Sequence, residues 1–220
     1  MISGKPIGIF GGTFDPIHYG HLRLAEEMFE LAELDQLRFI PTGTPPHRDA
    51  PEVAAAHRSA MVGSAIAGRA EFLLDTREVE RPGRSYTVNT LRELRAELGA
   101  ERSLCLLMGA DAFLQLHTWH EWQSLFGLAH IVVGYRPGFR LEERIPTAPP
   151  ILQNEYRQRT ATVTALAQSA AGGIVELAIP QLEISATDIR QRVATGRSIR
   201  YLLPESVADY IYQHNLYASC

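Results

Sequence analysis

Ile7-Gly8-Ile9-Phe10-Gly11-Gly12-Thr13-Phe14-Asp15-Pro16-Ile17-His18-Tyr19-Gly20-His21 sits almost at the start of this 220-residue chain, and its reading decides the fold. The short apolar run 7–10 reads as a buried strand. Gly11 and Gly12 follow it, letting the backbone approach a ligand closely and expose successive N–H donors. Helical periodicity then sets in over 21–34, with His18 and His21 at its start, where both imidazoles can face one point. A helix N-terminus carries partial positive charge and unbonded N–H groups, which makes it a natural anion site. Gly8, Gly11 and Gly12 do not form the GxGxxG spacing of a dinucleotide fingerprint.

Outward from this stretch the same alternation recurs. Apolar runs at 37–41, 72–75, 104–108, 131–135 and 174–177 read as further buried strands, and 57–67, 87–98 and 153–170 carry helical periodicity. Strand–helix alternation of this kind predicts an open, doubly wound α/β fold: a parallel sheet with helices on both faces. From Thr187 the chain reads as a helical tail, 187–195 and then 203–214. The expected organisation is a single domain over 1–220, with an α/β core to about 183 and a helical part from about 184. The proline-rich stretch 137–150 reads as a surface loop within it. No internal repeat or low-complexity segment breaks the pattern.

Composition excludes several chemistries. With 21 Lys+Arg against 25 Asp+Glu the formal charge is −4, so a broad basic face for nucleic acid or an anionic membrane is not expected. Lys5 is the only lysine, and Pro6 follows it, so no P-loop lysine exists and Schiff-base chemistry has one residue to draw on. Any bound anion must meet arginine, histidine, backbone N–H groups or a metal. Cys105 lies in an apolar run and reads as a buried structural thiol, while Cys220 offers no CxxC partner; a reducing cytoplasm is the expected compartment. No signal-like or membrane-spanning apolar run is present.

In such sheets ligands bind beyond the carboxyl ends of the strands, so the segments following strands are the informative ones. Thr44-Pro45-Pro46-His47-Arg48 is a stiffened loop ending in two potential phosphate donors, and 42–56 as a whole is a candidate closing loop. Ser85-Tyr86-Thr87 opens a helix that Ser85 or Thr87 could cap, and the same helix start could receive a carboxylate. Asp111 stands just past a strand end, where it could bind ribose hydroxyls or cap the next helix. Trp119 and Trp122 follow, Trp122 reading as core, and the backbone of His120 could donate to a carboxylate. Ile184-Ser185-Ala186-Thr187-Asp188-Ile189-Arg190 starts the tail helix, where Ser185 or Thr187 could cap and Arg190 could meet phosphate oxygens. The remaining histidines show no metal-ligand spacing.

Together these strings resemble one family. GGTFDPIHYGH is similar to the T/HxGH signature of the nucleotidyltransferase superfamily, in the form carried by bacterial nicotinate-nucleotide adenylyltransferases. SYTVNTL, WHEW and YLLP, and the ISATDIR segment, resemble that family's SYTxxTL, WxxW, YLLP and ISSTxxR motifs in the same order, spanning Gly11 to Pro204. Ala186 departs from the pattern by replacing a serine. The resemblance implies a Rossmann-like sheet and transfer of the adenylyl group of ATP to nicotinate mononucleotide, giving deamido-NAD and pyrophosphate. It implies catalytic roles for His18, His21 and Arg190, and ATP contacts at Gly11, Gly12, Thr13, Phe14, Asp111, Ile184, Ser185 and Thr187. It places the mononucleotide at Asp15, Arg48, Thr87, Trp119 and His120, with Trp119 stacking on the pyridine ring. Magnesium is expected with ATP, carried mainly by the phosphates and by no protein side chain. Two alternatives stay open on the sequence: another acceptor such as nicotinamide mononucleotide, and a nucleotide-binding module without catalysis.

Overall fold

The computed structural model describes residues 4–45, 51–136, 138, 141–180 and 182–218. Its strands are β1 (Ile7–Gly12), β2 (Gln36–Pro41), β3 (Phe72–Leu74), β4 (Leu104–Gly109), β5 (His130–Tyr135) and β6 (Ile174–Ala178). They form one six-stranded sheet in the order β3-β2-β1-β4-β5-β6, and the pairs β1/β4, β4/β5 and β5/β6 are parallel. The helices are α1 (Tyr19–Leu31), α2 (Ala55–Ile66), α3 (Arg77–Glu80), α4 (Thr87–Leu98), α5 (Ala110–Leu114), α6 (Leu125–Leu128), α7 (Leu141–Arg144), α8 (Pro150–Arg159), α9 (Ala186–Ala194) and α10 (Glu205–Gln213). The doubly wound α/β expectation holds, and every expected strand is present with ends shifted by at most two residues. Gly11 and Gly12 are the last two residues of β1 rather than a turn beyond it.

The chain packs into two compact units, neither of them contiguous. One comprises Met1–Phe10, Leu24–Arg38 and Tyr86–Gln181. Its strands β4 and β5 are buried on both faces, as their unbroken apolar runs require. In the same unit α4 turns Val88, Leu91 and Leu94 inward, each without exposed surface, and each such burial contributes about 1.5–3 kcal/mol. Arg95, one residue on, collects carbonyl groups. Its guanidinium donates to Leu128 O at 2.8 Å, Ala170 O at 2.6 Å and Gly99 O at 3.2 Å, and also to Arg102 O. Burial lowers its pKa, yet an arginine stays charged there. Cys105 is buried, and desolvation pushes its thiol up to about 12, as suits a structural rather than reactive residue.

Two expectations in this unit are corrected. The helix expected over 153–170 ends at Arg159, because Thr160 bridges to Ile174 and the Ala161 amide donates to Ile174 O at 2.8 Å. The β-branched Thr160, Thr162, Val163 and Thr164 favour extended or tight-turn backbone over a continued helix, and Val163–Ala167 forms a 3-10 turn. The stretch 137–150 is not merely a solvent loop: within it α7 and the 3-10 turn Ile145–Thr147 bury Leu141, Ile145 and Ala148.

The second unit comprises Gly11–Arg23, Phe39–Ser85 and Leu182–Cys220. Here α2 buries Met61, Val62 and Ile66, and α10 buries Val207 and Ile211. Phe39 carries the apolar centre, its ring 5.3 Å from Phe72 and 6.1 Å from Phe14. Among the described residues no helix is long and apolar enough to cross a membrane.

Replacing Arg95 by methionine keeps the apolar stem but leaves several carbonyls without their donor. We expect it to cost about 3 kcal/mol, read as a lowered urea midpoint. An unchanged midpoint would show the carbonyls to be satisfied otherwise.

Candidate active site

The segment Gly11–Arg23 is built around two glycines that make room for rings. Phe14 adopts a left-handed backbone (φ 50°) and is 2% exposed; its ring folds back over Gly12, where a Cβ would lie 2.8 Å from ring carbons. A Cβ at Gly20 would lie 2.9 Å from His18 Nδ1 and 3.3 Å from the Ile184 carbonyl oxygen. The glycine between the two histidines is therefore what lets the His18 ring lie back across the start of α1. His18 stands just before that helix, its carbonyl accepting from the amides of His21 at 2.9 Å and Leu22 at 3.1 Å.

The two imidazoles stack, with centroids 3.8 Å apart and planes at 27°, and Phe14 meets His21 edge-on at 5.2 Å. His18 is 5% exposed, and burial pushes its pKa down to about 4. His21 is held well below its ordinary value, by burial first and by the neighbouring His18 second. At neutral pH both are uncharged, so each ring offers one N–H donor and one acceptor. His18 Nδ1 is buried with no hydrogen-bond partner among the described residues.

Arg190, on α9, reaches the same segment. It donates from Nη1 to the Asp15 carbonyl at 2.8 Å and from Nε to Glu52 Oε1 at 2.5 Å. Ser185 caps α9, its Oγ accepting from the Asp188 amide at 3.2 Å; Thr187 does not cap and is exposed. The Asp15 carboxylate is 6% exposed and already has two donors, the Tyr217 hydroxyl at 2.7 Å and the Glu52 amide at 2.9 Å. Burial, and then the bond to Asp15, raise the Tyr217 phenol far above its ordinary value. The Phe14 ring, 2% exposed, is likewise unavailable to a ligand, so Phe14 itself can contribute backbone groups only.

Arg58 is a residue that the sequence reading passed over. It is 1% exposed, and its guanidinium donates to Thr13 O at 2.6 Å, Thr42 O at 2.6 Å and Gly43 O at 3.1 Å. It thereby ties the glycine segment to the one after β2. The signal was present: Arg58 falls at helical spacing with Met61, Val62 and Ile66, where a charge on an apolar face demands a reason. Ser85 does not cap α4 as expected, and neither does Thr87. Ser85 Oγ instead accepts from the Gly43 amide at 3.1 Å, pinning the near end of the candidate closing loop. Arg48, expected to contact a phosphate, lies outside the described residues.

The remaining expected residues lie in the other unit. Thr87 is the first residue of α4, whose first amides have no intrahelical acceptor. Beside it the Tyr86 ring packs on His120, 4.4 Å between centroids. His120 is about half exposed and follows the half-buried Trp119, which closes the 3-10 turn Leu116–Thr118. Trp122 is buried against Phe126, as core. Asp111 is exposed in the first turn of α5; Gly109 occupies the cap position. Among the described residues no three His, Cys, Asp or Glu side chains converge on a point that could hold a metal ion.

A cytidylyltransferase-like family model matches residues 9–192. A probable nicotinate-nucleotide adenylyltransferase of Dechloromonas aromatica (strain RCB) is 54% identical over 214 residues, covering 97% of this chain and 98% of that one. The chain belongs to the nicotinate-nucleotide adenylyltransferase family. A probable family member from Pseudomonas fluorescens is 45% identical over the same shares of the two chains. The fold of a Plasmodium falciparum nicotinic acid mononucleotide adenylyltransferase, solved with NaAD, matches with a TM-score of 0.73 at 19% identity, covering 97% of this chain and 98% of that one. His18 and His21, the two histidines expected at the site, are the stacked, neutral pair.

That pair sets a pH dependence. Above pH 6.5 a histidine is neutral folded or unfolded and its titration costs nothing. Below that, the unfolded chain takes a proton that His18 refuses until about pH 4, so stability falls as pH is lowered through this window. The loss is up to about 1.4 kcal/mol per pH unit for each such group. His18→Asn should flatten the drop in urea midpoint between pH 7 and pH 5; equal slopes in both proteins would show that His18 is not the group refusing the proton.

Proposed function

We propose that this chain transfers the adenylyl group of ATP to nicotinate mononucleotide, forming deamido-NAD and releasing pyrophosphate, as a step of NAD synthesis in the cytoplasm. Whole-chain identity of 54% to a relative named for this activity supports the reading, and one observation carries the chemistry: two neutral imidazoles stacked at the amino end of α1. The phosphate of the mononucleotide attacks the α-phosphorus of ATP in line. A new P–O bond forms there while the bond to the β-phosphate oxygen breaks, and pyrophosphate departs with that electron pair. No covalent enzyme intermediate is needed. Catalysis of this kind rests on positioning and on stabilising charge that spreads over phosphoryl oxygens.

In this assignment His18 and His21 donate N–H groups to the triphosphate, the unbonded His18 Nδ1 being one such position. Arg190 supplies fixed positive charge, with the backbone of Gly11, Gly12, Thr13 and Phe14 and the start of α9 at Ile184, Ser185 and Thr187 as further ATP contacts. Asp111 takes the ribose. Trp119 stacks on the pyridine ring, and the amides at Thr87 and His120 receive its carboxylate, with Arg48 and the Asp15 segment toward the mononucleotide. Asp15 acts here through its backbone and through what it holds, because its carboxylate is already bonded. Magnesium, expected with ATP, would neutralise charge on the phosphates. In this assignment it is carried mainly by the triphosphate itself.

Two measurements test the reading. Turnover on nicotinate mononucleotide should exceed that on the nicotinamide form by at least about tenfold, because amides poised for a carboxylate are mismatched by a carboxamide. Equal rates would remove the nicotinate assignment. His18→Ala should lose on the order of 10²–10³ in kcat with cooperative unfolding retained. Near-wild-type turnover would take His18 out of the chemistry.

A further inference from the structure

Three residues far apart in sequence, Arg190, Asp15 and Glu52, close a ring of hydrogen bonds, and a fourth, Tyr217, braces it through Asp15. Its Nη1 donates to the Asp15 carbonyl at 2.8 Å and its Nε to Glu52 Oε1 at 2.5 Å. The Glu52 amide, in turn, donates to Asp15 Oδ2 at 2.9 Å, so Glu52 is fixed by the same residue whose carbonyl holds the arginine. The other carboxylate oxygen, Oδ1, accepts from the Tyr217 hydroxyl at 2.7 Å. Tyr217 is 9% exposed and Asp15 6%, so the bond between them is buried. Every member lies in the same compact unit.

We propose that Tyr217 is a positioning residue for Arg190, acting through Asp15 and Glu52. Without the phenol, Asp15 Oδ1 is a buried acceptor with no donor, and the carboxylate is free to turn. Turning releases the Glu52 amide and shifts the carbonyl that holds Nη1. The guanidinium then loses both anchors at once. Two of its nitrogens are engaged in this way, so its orientation toward an incoming phosphate is set before the ligand arrives. Such preorganisation matters because a displacement of about 1 Å at a charged contact can cost on the order of a hundredfold in rate.

This inference rests on the adenylyl-transfer reading, and the test separates the two. Tyr217→Phe, Arg190→Ala and the double variant are compared with wild type. The readouts are kcat/KM for ATP and the dissociation constant of a non-hydrolysable ATP analogue, which stays measurable where turnover is lost. Tyr217→Phe should lower kcat/KM on the order of tenfold in the wild-type background and change either readout by less than about twofold in the Arg190→Ala background. An equal loss in both backgrounds, or a Tyr217→Phe enzyme with wild-type kinetics and only a lowered melting temperature, overturns it. Glu52 is half exposed, so its variants do not put folding at risk. Glu52→Ala should follow Tyr217→Phe, while Glu52→Gln, which keeps the acceptor, should restore most of the loss. Tighter analogue binding by Glu52→Ala would instead show Glu52 to be a competitor for Arg190 and also overturns it. A wild-type chain that makes no dinucleotide from ATP and nicotinate mononucleotide refutes the reaction itself, and the inference with it.

Discussion

Two imidazoles stacked 3.8 Å apart in a buried setting cannot both hold a proton cheaply, and the site is built on that constraint. Neutral rings can be buried without a counter-ion, so the segment needs no carboxylate beside them. In the proposed reaction the unbonded His18 Nδ1 is one position that meets a phosphate oxygen. Positive charge is supplied separately in that reaction, by the guanidinium of Arg190, which the Asp15 carbonyl and Glu52 hold in place. Donors that are cheap to bury are thus divided from charge that is costly to bury. The division explains why Gly20 stands between the histidines and why Phe14 closes over Gly12. Both arrangements bring rings close to backbone that a side chain would block.

Buried arginine is the second recurring device. Arg58 and Arg95 hold carbonyl oxygens rather than carboxylates: Thr13, Thr42 and Gly43 for one; Leu128, Ala170 and Gly99 for the other. A forked, planar guanidinium can satisfy several acceptors from one position, which a lysine ammonium on a flexible stem does less well. The near absence of lysine therefore describes a chain in which cations serve as structural brackets as well as anion contacts. The net charge of −4 conveys nothing of this, because the bracket charges face inward.

The sheet was legible because buried parallel strands announce themselves as uninterrupted apolar runs, and α4 because its periodicity is clean. The glycine–histidine segment was legible as well, since its chemistry lies in adjacent residues. What escaped were features whose cause is distant. The helix expected to run on past Arg159 stops because Thr160 and Ala161 pair with β6, a tertiary competition invisible to local periodicity. Ser85 has every mark of a cap and serves instead as an acceptor for the Gly43 amide. Arg58 was passed over because charge on a helix is ordinarily solvated. The Asp15–Tyr217 bond joins residues 202 positions apart, and no pattern within a window could announce it.

The interleaving of the two units carries a consequence for how the molecule comes into being. The unit holding β4 and β5 has its last segment at Tyr86–Gln181, ahead of the last segment of the other unit. The unit holding the histidines draws on Gly11–Arg23 and on Leu182–Cys220, segments more than 150 residues apart. Its contacts are of long sequence separation and must wait on loop closure, the slow part of folding. During synthesis from the N-terminus, His18 and His21 emerge early, while Arg190, which bonds the Asp15 carbonyl, arrives much later. A nascent chain therefore holds every segment of the unit with β4 and β5 before it holds every segment of the unit with the histidines.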